Sequence, residues 1–165
     1  MKPLDWPDAH HLDAATGWLE LGDHVEAFDE LENIAPQLRA HPDVLKLRWH
    51  IYAKAGHWQA AAHVATGLVT MLPKDSEVWL HRSFALHELK RTEEARDLLL
   101  PAAKQFPTVA TIFYNLACYE SQLGDLSAAK VWLDKAFATD KTKELKLNSL
   151  DDADLEPLWK HIGEL

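Results

Sequence analysis

The side chains best suited to chemistry in this chain are its ten histidines and its one cysteine, Cys118. Imidazole nitrogens and a thiolate are natural zinc donors, and a zinc site needs three or four of them converging with tetrahedral geometry. His50, His81, His87 and Cys118 are the set to weigh. Their separations do not follow metal-ligand spacing. The adjacent pair His10-His11 suits an exposed or capping role better than a stray metal ion. The chain has no Gly-rich phosphate loop, no Gly-x-Ser-x-Gly, no His-Glu-x-x-His and no Cys-x-x-Cys. These observations predict no metal, no cofactor and no enzymatic activity.

The histidine separations follow a longer period instead. Ala27, Ala61, Ala95 and Ala129 recur every 34 residues. Gly22, Gly56, Lys90 and Gly124 fall five residues before them, and Pro73 and Pro107 fall twelve after the second and third. A small side chain lets two helices cross closely. Glycine ends a helix where a left-handed residue is needed, and proline prevents continuation. A period of this length marks stacked pairs of helices. The pairs are predicted at 9–21 with 24–40, 43–55 with 58–72, 76–89 with 93–106, and 109–123 with 126–138. Asp8 and Thr92 are expected to cap the first and sixth helices, and Pro101 to interrupt the sixth. Trp49 occupies a position that wants a small residue, so either its pair is splayed or the ring turns away. Arg48 and Arg82 are expected to lay their stems along a seam and keep their heads in water.

The pattern resembles the tetratricopeptide repeat, in which Trp, Leu-Gly, Tyr, Ala, Phe and Pro recur within 34 residues. The third unit is plainest: Trp79, Ser83, Leu86, Ala95, Leu99, Ala102, Pro107. The resemblance implies an all-α fold, a right-handed α-solenoid of about four antiparallel helix pairs plus a C-terminal capping helix. It implies one domain over 1–165, with repeats at 8–41, 42–75, 76–109 and 110–143 and a tail at 144–165. The run Asp154-Leu155-Glu156-Pro157-Leu158 looks like the closing segment of bacterial arrays of this family, which implies a bacterial source and a complete chain. Asp152 or Asp154 is expected to cap a last helix, with Leu155, Leu158, Trp159 and Ile162 as its apolar stripe. A tail swapped onto another copy is the alternative.

In this family the first helix of each pair lines a concave face that takes short peptides. Carried over by position, that face implies Leu12, Thr16 and Leu19, then Lys46, His50 and Lys54. Glu77, Leu80, His81, Phe84 and His87 follow, then Thr111, Tyr114, Asn115, Cys118 and Gln122. The peptide-binding set expected from this is Lys46, His50, Lys54, His81, Phe84, His87, Tyr114, Asn115, Cys118 and Gln122. Polar donors beside aromatics suit an extended peptide. A carboxylate clamp known in some members is incomplete here. Lys46 matches it, but His50 and His81 replace asparagines, and Thr111 and Asn115 stand where cations are required.

Composition narrows the partner. The net charge of −9 is distributed as −7 over residues 1–42, +2 over 43–76, zero over 77–110 and −4 over 111–165. That excludes the clustered cations of a nucleic-acid interface and leaves a protein or peptide partner. The acidic second helix, with Glu26, Asp29, Glu30 and Glu32, reads as a solvated outer face or a docking patch for a basic partner. One cysteine cannot form an internal disulfide, and nothing resembles a signal peptide or a membrane span, so a cytoplasmic protein is expected. The function expected is a non-catalytic protein-protein interaction module, a scaffold or adaptor. The alternatives are a chaperone-like role guarding an exported subunit and self-assembly into a homo-oligomer.

Overall fold

A computed structural model describes residues 3–164. Met1, Lys2 and Leu165, at the two ends of the expected domain, lie outside the described residues. In chain order the helices are α1 (Asp8–Glu20), α2 (His24–Glu32), α3 (Pro42–Lys54), α4 (Trp58–Met71), α5 (Ser76–Glu88), α6 (Thr92–Gln105), α7 (Ala110–Leu123), α8 (Leu126–Thr139), α9 (Glu144–Asn148) and α10 (Trp159–Glu164). Short 3-10 helices stand at Pro36–Leu38 and Ala153–Leu158. No strand occurs among the described residues, and no helix among them is long and apolar enough to cross a membrane.

The repeat period becomes four copies of one turn. Gly22, Gly56 and Gly124 take φ of 87°, 71° and 87°, and Lys90 takes 62° in the same register. After each of these residues the next backbone N–H reaches back to a carbonyl five residues earlier. These bonds are Asp23 to Trp18 at 2.9 Å, His57 to Tyr52 at 2.8 Å, Arg91 to Leu86 at 3.0 Å and Asp125 to Glu120 at 2.9 Å. This left-handed cap satisfies carbonyls the helix leaves open. Asp23 and Asp125 then cap the next helices, accepting from Val25 and Glu26 and from Ala128.

The chain divides into two compact units, residues 1–85 and 86–165. In the first, Ala27 and Ala61 are fully buried. Ala15, Leu31, Ile34, Val44, Leu47 and Ile51 pack with Ala27, and Leu4, Leu12, Leu19, Phe28 and Leu38 close around them. Leu68, Val69 and Val78 form another cluster with Leu45, Val64, Leu72 and Trp79. The helix expected over 24–40 stops at Glu32. Pro36 disfavours helical geometry for the residue before it, and Ala35 is extended at φ −51° and ψ 132°. Asp8 does not cap α1; its Oδ1 accepts from the Ala35 N–H at 2.7 Å and ties down the chain after α2. Arg39 braces the same stretch, donating from Nε to Ile34 O at 2.9 Å and from Nη1 to Glu32 Oε2 at 2.7 Å. Arg48 does not keep its head in water. Its guanidinium pairs with Glu32 Oε1 at 2.9 Å and lies over the Phe28 ring at 5.4 Å.

In the second unit Ala95 and Ala129 are fully buried, together with Leu99, Ala102, Ile112, Phe113, Leu116, Leu133 and Ala136. Phe113 stacks on Trp132 with Lys135 above it. The sixth helix runs through Pro101 without a break, and Thr92 starts it without capping it. The tail is also more broken than expected. Asp152 caps the 3-10 helix Ala153–Leu158, accepting from the Asp154 N–H, and Pro157 lies within that helix. Leu155, Leu158 and Ile162 are buried at 0%, 1% and 0% exposure, each contributing about 1.5–3 kcal/mol of apolar burial. Trp159 remains 37% exposed and spends its indole N–H on the Ser149 and Asp152 carbonyls.

Candidate functional site

Five of the ten expected groove residues lie in the first unit. Lys46, His50 and Lys54 follow one another at four-residue steps on α3, which places them on one face. The Lys46 ammonium is taken up by two carboxylates, Asp75 Oδ2 at 2.6 Å and Glu77 Oε2 at 2.9 Å. Burial opposes the Lys46 charge, but these two carboxylates outweigh it and raise its pKa. The same bond holds the Glu77 carboxyl below its ordinary value. An incoming carboxylate would have to displace both acids to reach Lys46. Lys54 is exposed.

His81, on α5, is buried at 7% exposure. Its ring stacks on Trp49 with centroids 3.8 Å apart and planes within 8°. That is where the oversized Trp49 goes: 6% exposed, face to face with an imidazole. His50 meets both rings edge-on, 5.0 Å from Trp49 and 4.9 Å from His81. Burial pushes the His81 imidazole down to about 4, and the neighbouring His50 adds to it. His50 is exposed at its rim, yet partial burial still lowers its pKa. Both rings are therefore neutral near pH 7. Phe84 is 39% exposed and meets Trp58 edge to face at 5.6 Å. A cavity of about 260 Å³, lined by Phe28, Tyr52, His24 and His57 among others, includes none of the expected residues.

The other five belong to the second unit, and four of them hold the chain's own tail. The Tyr114 hydroxyl donates to Asp152 Oδ2 at 2.7 Å, and the Cys118 thiol lies 3.7 Å from the same oxygen. Gln122 Nε2 donates to the Asp154 carbonyl at 3.3 Å. His87 shares a hydrogen bond with Asp154 Oδ2 at 3.0 Å through Nε2 and with Thr92 Oγ1 at 3.0 Å through Nδ1. Burial, reinforced by Asp152, raises the Tyr114 and Cys118 pKa values, so both groups stay protonated donors at neutral pH. Tyr114, Cys118 and His87 are buried, Asn115 is half-buried and Gln122 is exposed.

Two pairings are not legible in the sequence, although Glu77 itself is expected on the same face as Lys46. Asp75 and Glu77 engage Lys46 from 29 and 31 residues away, and no local spacing announces that. Asp152 was legible as a cap, and it is one. Its second oxygen, which Tyr114 occupies, was not.

No protein-family model matches the sequence, and no curated protein matches it either. Solved structures do. A thermophilic TPR protein from Thermus thermophilus is 18% identical, aligned over 96% of this chain and 100% of that one, with a TM-score of 0.71. MamA MSR-1 is 19% identical over 81% of this chain and 76% of that one, with a TM-score of 0.70. Another MamA crystal structure is 10% identical over 83% and 80%, with a TM-score of 0.74. Likeness at these identities speaks to the fold, and it agrees with the alanine ladder and the left-handed turns beside it. The chain has the tetratricopeptide-repeat fold.

Proposed function

We propose that this protein is a non-catalytic interaction module that binds an extended peptide or protein segment on the inner helices of its repeats. One observation carries the reading. The tail segment Asp152–Leu155 is held on α7 as a peptide ligand would be: side-chain donors on its carboxylates, a glutamine on its backbone, and Leu155 fully buried. Exposed His50, Lys54 and Phe84 offer a comparable mixture of donors and aromatic surface in the first unit. The net charge of −9 disfavours nucleic acid as the ligand, and a cytoplasmic setting suits the single thiol.

Affinity capture with the full-length chain tests it. The variant combines His50→Glu, Lys54→Glu, Phe84→Ala and Asn115→Ala, none of which removes a fully buried side chain. Its circular dichroism spectrum is expected to match the wild type. A protein retained by the wild type and lost by the folded variant supports the reading. Equal retention by both moves binding away from these helices and overturns it.

A further inference from the structure

We propose that His50, Glu77 and His81 form a binding site for a first-row divalent cation of borderline softness, of which zinc is the type. The sequence alone predicts no metal, and the set it offers, His50, His81, His87 and Cys118, shares only His50 and His81 with this one. The fold brings these three together. Glu77 and His81 are one turn apart on α5, and His50 on α3 turns its ring against His81. Each offers one donor atom, and the three atoms lie within 4.8 Å of one another.

The chemistry of the set fits. Two imidazoles and a carboxylate are the protein ligands of an open zinc centre, with the fourth position left to water or an incoming group. Ligand bonds of about 2.0–2.2 Å bring tetrahedral donors to roughly 3.3 Å from one another. Closing from 4.8 Å asks for small rotations of His50 and Glu77, both exposed. His81 is the fixed member, clamped face to face on Trp49. Glu77 spends Oε2 on Lys46, which leaves Oε1 3.8 Å from His81 Nε2. Lys46, itself tied to Asp75, so acts as an outer support that orients the carboxylate. Lys46 with Asp75 and Glu77 carries one net negative charge, which favours a dication. Another acidic group, Cys118 with Asp152 and Asp154, is already engaged by Tyr114 and His87 and serves as a control.

The test is calorimetric titration of untagged full-length protein with zinc(II) at about pH 7.5, repeated with cobalt(II) for its visible absorption. One equivalent is expected to bind, with a cobalt spectrum of tetrahedral type. His50→Ala and Glu77→Gln are each expected to weaken binding roughly tenfold or more, and the two together to abolish it. Cys118→Ser and the pair His10→Ala, His11→Ala are expected to leave both affinity and stoichiometry unchanged. Binding that survives the double variant, or wild-type protein that takes up no zinc at 100 μM, would overturn the proposal.

Discussion

Tyr114 and Asp152 stand 38 residues apart and share a 2.7 Å hydrogen bond, which fastens the tail to the face of α7 expected to bind ligand. Asp152 meanwhile uses its other oxygen to cap the turn that follows. One carboxylate thus sets both the local geometry of the tail and its attachment. Tyr114→Phe removes the donor and leaves the carboxylate partly buried. The expected loss is about 1–3 kcal/mol in urea unfolding. Amide exchange over residues 150–158 should accelerate more than exchange in α8. Unchanged protection there would mean that Leu155 and Leu158, with the His87 and Gln122 contacts to Asp154, hold the tail without Tyr114.

Lys90 adopts a left-handed backbone at φ 62°, where the other three repeats place glycine. An L side chain there costs about 1–2 kcal/mol, partly offset by the greater freedom glycine has in the unfolded chain. Lys90→Gly is therefore expected to raise stability by about 0.5–1 kcal/mol. Gly22→Lys should lower it by a similar amount. Urea midpoints at constant slope measure both.

The buried ladder makes its own demand. Ala95 is fully buried on α6. Ala95→Trp is expected to cost about 1–3 kcal/mol or more by overpacking. The substitution Val131→Ala, on an exposed position of α8, should change stability by less than about 0.5 kcal/mol. Equal effects at the two positions would contradict the ladder as the core of the repeat.

His81 predicts an acid sensitivity. Its folded pKa is about 4, because burial disfavours the charged ring, whereas the unfolded ring titrates near ~6.5. Between those values the unfolded chain gains the proton and the folded chain does not. Stability is therefore fully present above about pH 6.5 and falls as the pH drops toward about 4. The loss from this ring is up to roughly 3 kcal/mol. His81→Gln should reduce the difference between urea midpoints at about pH 7 and about pH 4.5, measured in chelator. An unaltered difference would assign the acid sensitivity to other groups.

The parts of the fold that the sequence revealed are those governed by local rules. A small residue at each crossing and a left-handed residue at each helix end recur with the period, so Ala27, Ala61, Ala95 and Ala129 and the turns before them could be read directly. The early end of α2 follows from Pro36, which holds Ala35 in an extended conformation and so stops the helix short of the span expected from the repeat. Trp49 was recognisable as too large for its position. Its stacking on His81, 32 residues later, depends on the rotation of α3 and α5 about their axes, which no single-residue pattern encodes. The same holds for Lys46 with Asp75 and for Tyr114 with Asp152. Polar contacts between elements leave no trace in spacing, and the candidate site is made of such contacts.

The measurement that tests the account most directly uses the tail as its own probe. A fluorescently labelled peptide of residues 147–160 is titrated by anisotropy against full-length wild type and against the variant Leu155→Asp, Leu158→Asp, in which the resident tail loses its buried anchors. The account predicts binding to the variant, weaker binding to the wild type whose own tail competes, and loss of binding when Tyr114→Phe and Gln122→Ala are added. A folded variant that ignores the peptide, or binds it equally well without Tyr114 and Gln122, would contradict peptide recognition on α7.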